Sequence, residues 1–101
     1  MKIIYLVINV SILEIVLDKI KAMEITDYQI IEQVLSHESL VNPRMNTSVW
    51  PGYSSAIIIQ SDQDEKIQSL FAEIKNFNSE SVNDEERIRA FSWNTEMYII
   101  D

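Results

Sequence analysis

The order of apolar and polar positions along the 101 residues predicts four strands and two helices. An apolar run rich in Ile and Val over residues 2–9 is typical of a central strand that is covered on both faces. Partial alternation or short apolar runs predict three further strands, over residues 27–36, 55–60 and 87–93. Apolar residues at helical spacing predict amphipathic helices over residues 12–24 and 64–77.

Polar residues at the two helix starts predict how each helix is capped. Ser11 and Glu14 have the S-x-x-E spacing of a capping box, which places the first helix start at Ser11. Asp62 and Glu65 have the same spacing, with an acid at the cap position of the second helix. After the fourth strand, residues 97–100 predict a last short strand or an edge extension.

The element order β-α-β-β-α-β predicts an α+β fold. Two right-handed split β-α-β units of this kind form a ferredoxin-like sandwich, a four-stranded antiparallel sheet with both helices on one face. A length of 101 residues favours a single domain over residues 1–101.

The opposite face of this sheet is expected to remain uncovered by the helices. Large exposed apolar patches usually bind another subunit, so a homo-oligomer is expected. The side chains predicted to face away from the helices are Tyr28, Ile30, Glu32, Arg87, Phe91 and Trp93.

Composition excludes several classes of partner. Sixteen acidic and eight basic residues give a net charge of −8, which argues against nucleic acid because phosphate binding needs clustered Lys and Arg. Cysteine is absent, which excludes a thiolate metal site and favours a reducing, cytoplasmic setting. Membrane insertion is not expected, because Asn9, Glu14 and Asp18 interrupt the apolar opening and a span needs about 20 apolar residues.

The only glycine lies in the segment Trp50-Pro51-Gly52-Tyr53. Proline sets φ near −65° and glycine tolerates a positive φ, so these four residues suit a type II turn. We therefore predict a positive φ at Gly52.

Residues 43–54, PRMNTSVWPGYS, precede the apolar third strand. This segment, together with the β-α-β-β-α-β layout and the Met-Lys-Ile-Ile opening, resembles the PII-like proteins, relatives of the nitrogen regulatory P-II family. The layout covers the whole chain, whereas only residues 43–54 are specific. The resemblance implies a ferredoxin-like fold, a homotrimer whose sheets face the three-fold axis, and ligand binding in clefts between subunits.

The chain also departs from the P-II pattern. A phosphate cradle needs backbone N–H groups exposed by glycines, whereas residues 78–86 are acidic and contain no glycine. Binding of ATP or ADP in the P-II manner is therefore not favoured, and the sequence identifies no cofactor.

Several polar and aromatic residues near the third and fourth strands could hold a small anion. An arginine offers a forked donor and a tryptophan offers a stacking face. Alternatively, Arg44 makes a structural salt bridge, Trp50 fills a subunit boundary, and the strand-four arginines neutralise Glu32 across the sheet. The candidate ligand-binding residues are Arg44, Thr47, Trp50, Tyr53, Arg87 and Arg89.

His37 is the only histidine and the only candidate metal ligand singled out by its type. It would need further ligands brought by the fold or by neighbouring subunits, such as Glu32 or Glu38. The alternative is an ordinary surface histidine at the end of a strand.

No nucleophile elbow, phosphate loop or zinc-protease helix is present, so an enzyme is not predicted. The first hypothesis is a trimeric PII-like signalling or regulatory module that binds a small molecule or a regulated protein at subunit clefts. The alternatives are a divalent-metal-handling protein like the CutA proteins, which share the fold and the trimer, and an assembly module without a ligand.

Overall fold

The computed structural model describes residues 1–101 and confirms the α+β prediction. A single antiparallel sheet has the strand order β2-β3-β1-β4. The strands are β1 (Lys2–Asn9), β2 (Tyr28–Val34), β3 (Ser54–Ser61) and β4 (Arg89–Asn94). The helices are α1 (Leu13–Ala22) and α2 (Asp64–Glu80).

Both helices pack on the same face of the sheet. Ile4, Leu6 and Ile8 alternate along β1, and all three are fully buried in one cluster with apolar residues of β3, α1 and α2. Because side chains alternate between the faces of a strand, this cluster defines a helix face and leaves an open face behind it.

The first helix begins differently from the prediction. The chain passes from β1 into a 3₁₀ turn, Val10–Ile12, and Asn9 Oδ1 accepts a hydrogen bond from the N–H of Ser11 at 3.0 Å. No side chain caps α1 itself. The capping box of Ser11 and Glu14 is wrong, because Ser11 lies inside the turn rather than in the extended conformation of a cap.

The second predicted cap is also wrong. Asp62 Oδ1 lies 3.0 Å from the amino group of Met1, and the N-cap position of α2 is Gln63, which forms no side-chain cap bond. Ser61 Oγ instead accepts a hydrogen bond from the N–H of Gln63 at 3.0 Å. The helix runs three residues beyond the predicted end, to Glu80.

Helix α1 ends in a left-handed residue. Glu24 has φ of 58°, its N–H donates to Lys21 O at 3.0 Å, and the N–H of Ile25 donates to Ile20 O at 3.2 Å. These two bonds form a Schellman motif, in which Glu24 occupies the position that glycine usually fills.

The open face carries a row of apolar side chains. Tyr5 is opposite Phe91 in the register, with ring centroids 6.4 Å apart, and Trp93 is opposite Ile3. Phe91 and Trp93 are both about half exposed. Their predicted orientation away from the helices is therefore confirmed.

The predicted orientation of Tyr28 and Ile30 in β2 is wrong. Ile30 is opposite the core residue Ile57, so Ile30 lies on the helix face, as does Tyr28. Ile31 lies on the open face opposite Ala56. The register shifts between Ile31 and Val34, so β2 also bends near its end.

Two further predictions about the end of the chain are wrong. Arg87 precedes β4 rather than lying in it, and residues 97–100 form no strand. Thr95 is anchored to Met1, whose carbonyl accepts from the N–H and the hydroxyl of Thr95, both at 2.9 Å. No helix combines the length and the apolar character needed to cross a membrane.

Candidate ligand site

The connection between β2 and β3 positions Arg44 at the end of the open face. The N–H of Ser36 donates to Arg44 O at 3.0 Å, and the N–H of Arg44 donates to Ser36 O at 2.8 Å. Ser36 Oγ also lies 2.9 Å from Ser54 Oγ at the start of β3. This paired backbone fixes where the Arg44 side chain leaves the connection.

The guanidinium of Arg44 is almost fully buried, with 6% of the residue exposed. Its Nη1 donates to Ser54 Oγ at 3.0 Å, and its Nη2 donates to the carbonyl of Glu85 at 2.8 Å and to Glu85 Oε2 at 3.2 Å. No acceptor lies within hydrogen-bond distance of Nε. A buried donor without a partner is costly, so this nitrogen is a candidate contact for an added acceptor.

The other two candidate arginines each have an acidic neighbour. Arg89 Nε lies 3.1 Å from Glu38 Oε2, and Arg89 Nη2 donates to Ser39 O at 2.6 Å. Arg87 Nη2 lies 3.2 Å from Asp84 Oδ1 in a more exposed pair. The predicted pairing with Glu32 is not formed.

A cavity of about 320 Å³ lies where these three arginines meet, at the end of the open face. Its volume is at the lower end of the range for small-molecule sites. Three arginines and two acidic residues are among the lining residues, and guanidinium groups are suited to holding a small anion. The cavity is lined by Val7, Glu38, Leu40, Val41, Arg44, Asn78, Asp84, Arg87, Ile88 and Arg89.

The other three candidate residues lie outside this cavity. Thr47 Oγ1 accepts from the N–H of Trp50 at 2.9 Å, so Thr47 caps the turn rather than facing a ligand. Trp50 O accepts from the N–H groups of Met45 and Thr47, and the carbonyl of Tyr53 accepts from the N–H of Val10. The structure therefore brings together three of the six candidates.

Gly52 has φ of +79°, which confirms the predicted positive φ. Its carbonyl accepts from the N–H of Asn46 at 2.9 Å. The segment 45–53 is thus folded back on itself by backbone bonds, and it closes the connection just before β3 begins.

His37 is exposed and has no cluster of metal ligands around it. Within this chain, no three His, Asp or Glu side chains gather in a way that could hold a metal ion. A metal site at His37 would therefore need ligands from another chain.

Asn78 lines the cavity and Glu85 contacts Arg44, but neither was predicted as a site residue. Glu38, which also lines the cavity, was named only as a partner for His37. Glu85 belongs to the acidic run at residues 84–86. The sequence shows this run, but it does not show which basic residue pairs with it. Asn78 ends a helical stripe and has no sequence signal that separates it from a solvated residue.

No protein-family model matches the sequence, and a search of curated proteins found no match. Among solved structures, the fold is similar to that of CPII from Thiomonas intermedia K12, a nitrogen regulatory PII-like protein bound to ADP, AMP and bicarbonate. The TM-score is 0.71 at 13% identity, over 91% of this chain and 82% of that chain.

Two further structures agree. The apo form of CPII has a TM-score of 0.69 at 15% identity, over 91% of this chain and 85% of CPII. A candidate PII-like signalling protein from Thermus thermophilus has a TM-score of 0.64 at 14% identity, over 93% and 85% of the two chains. The fold is that of the PII-like proteins. The resemblance of residues 43–54 and the layout of the whole chain thus pointed to the correct fold.

Proposed function

We propose that this protein is a trimeric, cytoplasmic PII-like regulatory module that binds a small anion in the cavity beside Arg44. The observation that carries this proposal is the buried guanidinium of Arg44, a residue that lines the cavity and whose Nε has no acceptor. Arg87 and Arg89 add two further cationic groups around the same space.

The position of the cavity relative to the open face is consistent with the proposed trimer. Val7 and Arg89 are opposite each other in the register, so both lie on the open face, and both line the cavity. A subunit that covers Tyr5, Phe91 and Trp93 would therefore approach the cavity from the side. The site then becomes a cleft between subunits, in which a partner chain completes the wall.

The comparisons support a ligand of this kind. CPII was solved with bicarbonate and adenine nucleotides, all of which are anions. Here, the segment between α2 and β4 contains Asp84, Glu85 and Glu86 and no glycine, which disfavours a polyphosphate on this segment. A small oxyanion fits the three-arginine cavity better than a nucleoside triphosphate does.

Regulation rather than catalysis is the role that we propose. No arrangement of a nucleophile with a base is present among the cavity residues, and the arginines and acids are suited to holding an anion. Ligand binding would then be read by a partner protein. A metal-handling role through His37 and an assembly role without a ligand are the other outcomes of the test below.

The test is thermal unfolding of the wild-type protein with sodium bicarbonate, AMP or zinc chloride, each against sodium chloride at equal ionic strength. We expect bicarbonate or AMP to raise Tm, because a ligand at 100 times its Kd stabilises the folded state by about 2.7 kcal/mol. Arg89→Ala should abolish the shift. Lys21→Ala removes an equal charge from an exposed site on α1 and should leave the shift unchanged.

A shift with zinc alone, lost in His37→Ala, would favour the metal-handling role. No shift with any compound would favour the assembly module and would count against an anion site.

A further inference from the structure

The carboxylate of Glu85 is held by donors from the β2–β3 connection. The backbone N–H of Asn42 donates to Glu85 Oε1 at 3.1 Å, and Arg44 Nη2 donates to Glu85 Oε2 at 3.2 Å. One carboxylate oxygen thus meets a backbone amide and the other meets a guanidinium. This is the geometry of a carboxylate-binding site, and a side chain of the same protein occupies it.

Glu85 does not use all the donors of this site. An arginine binds a carboxylate most strongly when two N–H groups point at its two oxygens. Arg44 Nη2 is shared between the carbonyl and the carboxylate of Glu85, and Nε has no acceptor although the residue is 6% exposed. The buried guanidinium therefore has one donor that Glu85 leaves unsatisfied.

Glu85 lies in a surface segment whose contacts can change when a ligand binds. Glu85 lies in a 3₁₀ turn, Asp84–Glu86, within the irregular segment 81–88 between α2 and β4. The contact with Asn42 and Arg44 ties this segment to the β2–β3 connection. Both segments line the cavity, through Leu40, Val41, Asp84 and Arg87. Asn42 and Glu85 line an adjoining cavity, which shares Leu40, Val41 and Asp84 with the first.

The same arrangement recurs at the other two arginines. Arg89 is paired with Glu38 and Arg87 with Asp84, so each cationic group at the cavity has one acidic neighbour. An incoming anion would compete with these carboxylates rather than meet free arginines. The competition is strongest at Arg44, because its guanidinium is the most sheltered from solvent of the three.

We infer that Glu85 is an internal competitor that occupies the carboxylate-binding site of Arg44 and Asn42. A small oxyanion with a planar O–C–O group, such as bicarbonate, displaces its carboxylate and takes the unused Nε donor as well. Displacement removes the side-chain contacts between Glu85 and the β2–β3 connection and leaves only the bond from Arg44 Nη2 to the Glu85 carbonyl. Ligand binding thereby loosens the segment 81–88. This inference rests on the proposed anion site and adds its regulation.

The alternative is that Arg44 and Glu85 form a plain structural salt bridge. In that case, removing the charge of Glu85 would loosen the site and weaken anion binding or leave it unchanged. If Glu85 is a competitor, removing its charge should instead strengthen anion binding, so the two roles can be separated.

The test compares Glu85→Gln with Glu86→Gln in bicarbonate titrations followed by calorimetry. Both variants remove one negative charge from the same short turn, but Glu86 is exposed and makes no side-chain contact with Arg44. We expect Glu85→Gln to lower the Kd for bicarbonate about tenfold, because the competing side chain then loses one charge-assisted hydrogen bond to Arg44. Glu86→Gln should stay within about twofold, because an exposed charge is screened.

Amide hydrogen exchange provides a readout that a structural salt bridge would not move. In the wild-type protein, saturating bicarbonate should speed exchange at residues 84–88 and slow exchange elsewhere around the cavity. In Glu85→Gln without ligand, exchange at residues 84–88 should already be fast.

The outcomes separate this inference from the proposed function. If the wild type binds bicarbonate and Glu85→Gln binds it equally or more weakly, the competitor role is wrong while the anion site stands. Faster exchange at residues 84–88 that occurs without tighter binding also overturns it. If neither protein binds bicarbonate, both the inference and the proposed bicarbonate-type ligand are wrong.

Discussion

The side-chain amide of Asn78 forms two hydrogen bonds with the backbone of Ile88. Asn78 Nδ2 donates to Ile88 O at 2.8 Å, and the N–H of Ile88 donates to Asn78 Oδ1 at 2.7 Å. Ile88 is buried immediately before β4, and Asn78 lies in the last turn of α2. The amide thus satisfies the backbone groups of Ile88, which precedes β4 and has no paired strand residue. It thereby positions Arg87 and Arg89, on either side of Ile88, at the cavity.

Asn78→Ala should therefore destabilise the fold and disturb the site together. Two lost hydrogen bonds to a buried backbone predict a loss of about 2 kcal/mol in the free energy of unfolding, measured by urea denaturation. Asn76→Ala, on the same helix and exposed, should stay within about 0.5 kcal/mol. Equal stability of the two variants would show that water replaces the amide of Asn78.

Gly52→Ala should be destabilising for a reason of backbone conformation alone. A methyl group at Gly52 would meet no atom within 4 Å, but φ is +79°, where an L-residue is strained. The expected loss is about 1–2 kcal/mol in the free energy of unfolding. Gly52→Asn should lose less, because asparagine tolerates a positive φ. An unchanged melting temperature for Gly52→Ala would contradict the left-handed conformation.

Glu24→Gly should make the protein more stable. Glu24 holds the left-handed position of the Schellman motif at the end of α1, with φ of 58°. Glycine removes this strain, which should raise the free energy of unfolding by about 1 kcal/mol. The larger conformational entropy that glycine loses on folding reduces this gain. Glu24→Ala is the matched control, since it removes the same side chain but keeps the strain. Equal gains in both variants would assign the effect to the charge.

Phe91→Glu should separate the subunits of the proposed trimer. Phe91 is about half exposed beside Tyr5, on the open face of the edge strand β4. A buried, unpaired carboxylate there would be costly, so the sedimentation mass should fall from three chains to one chain of 11.8 kDa. Val82→Glu, at a fully exposed position in the segment 81–88, should leave the mass unchanged. A wild-type mass of one chain would overturn the trimer.

The sequence by itself determined the elements whose pattern repeats within a few residues. The run of Ile and Val predicted β1 over the residues at which it is found, and the apolar stripes located both helices. Gly52 was predictable as well, because a proline followed by a glycine restricts the backbone locally. In β2 the pattern did not predict which side chains face the helices. Ile30 and Ile31 are adjacent and both apolar, so only the register with β3 shows which of them lies on the helix face.

Only the tertiary structure decided the partners in the site. Arg44 and Glu85 are separated by 41 positions, and nothing local distinguishes Glu85 from the other fifteen acids. The caps of both helices were also misplaced, since Asn9 and Ser61 accept hydrogen bonds from the N–H groups of Ser11 and Gln63 in the turns that precede the helices. Periodicity reports which face of an element is buried. A hydrogen bond or ion pair depends on the path of the chain, which brings distant segments within about 3 Å of each other.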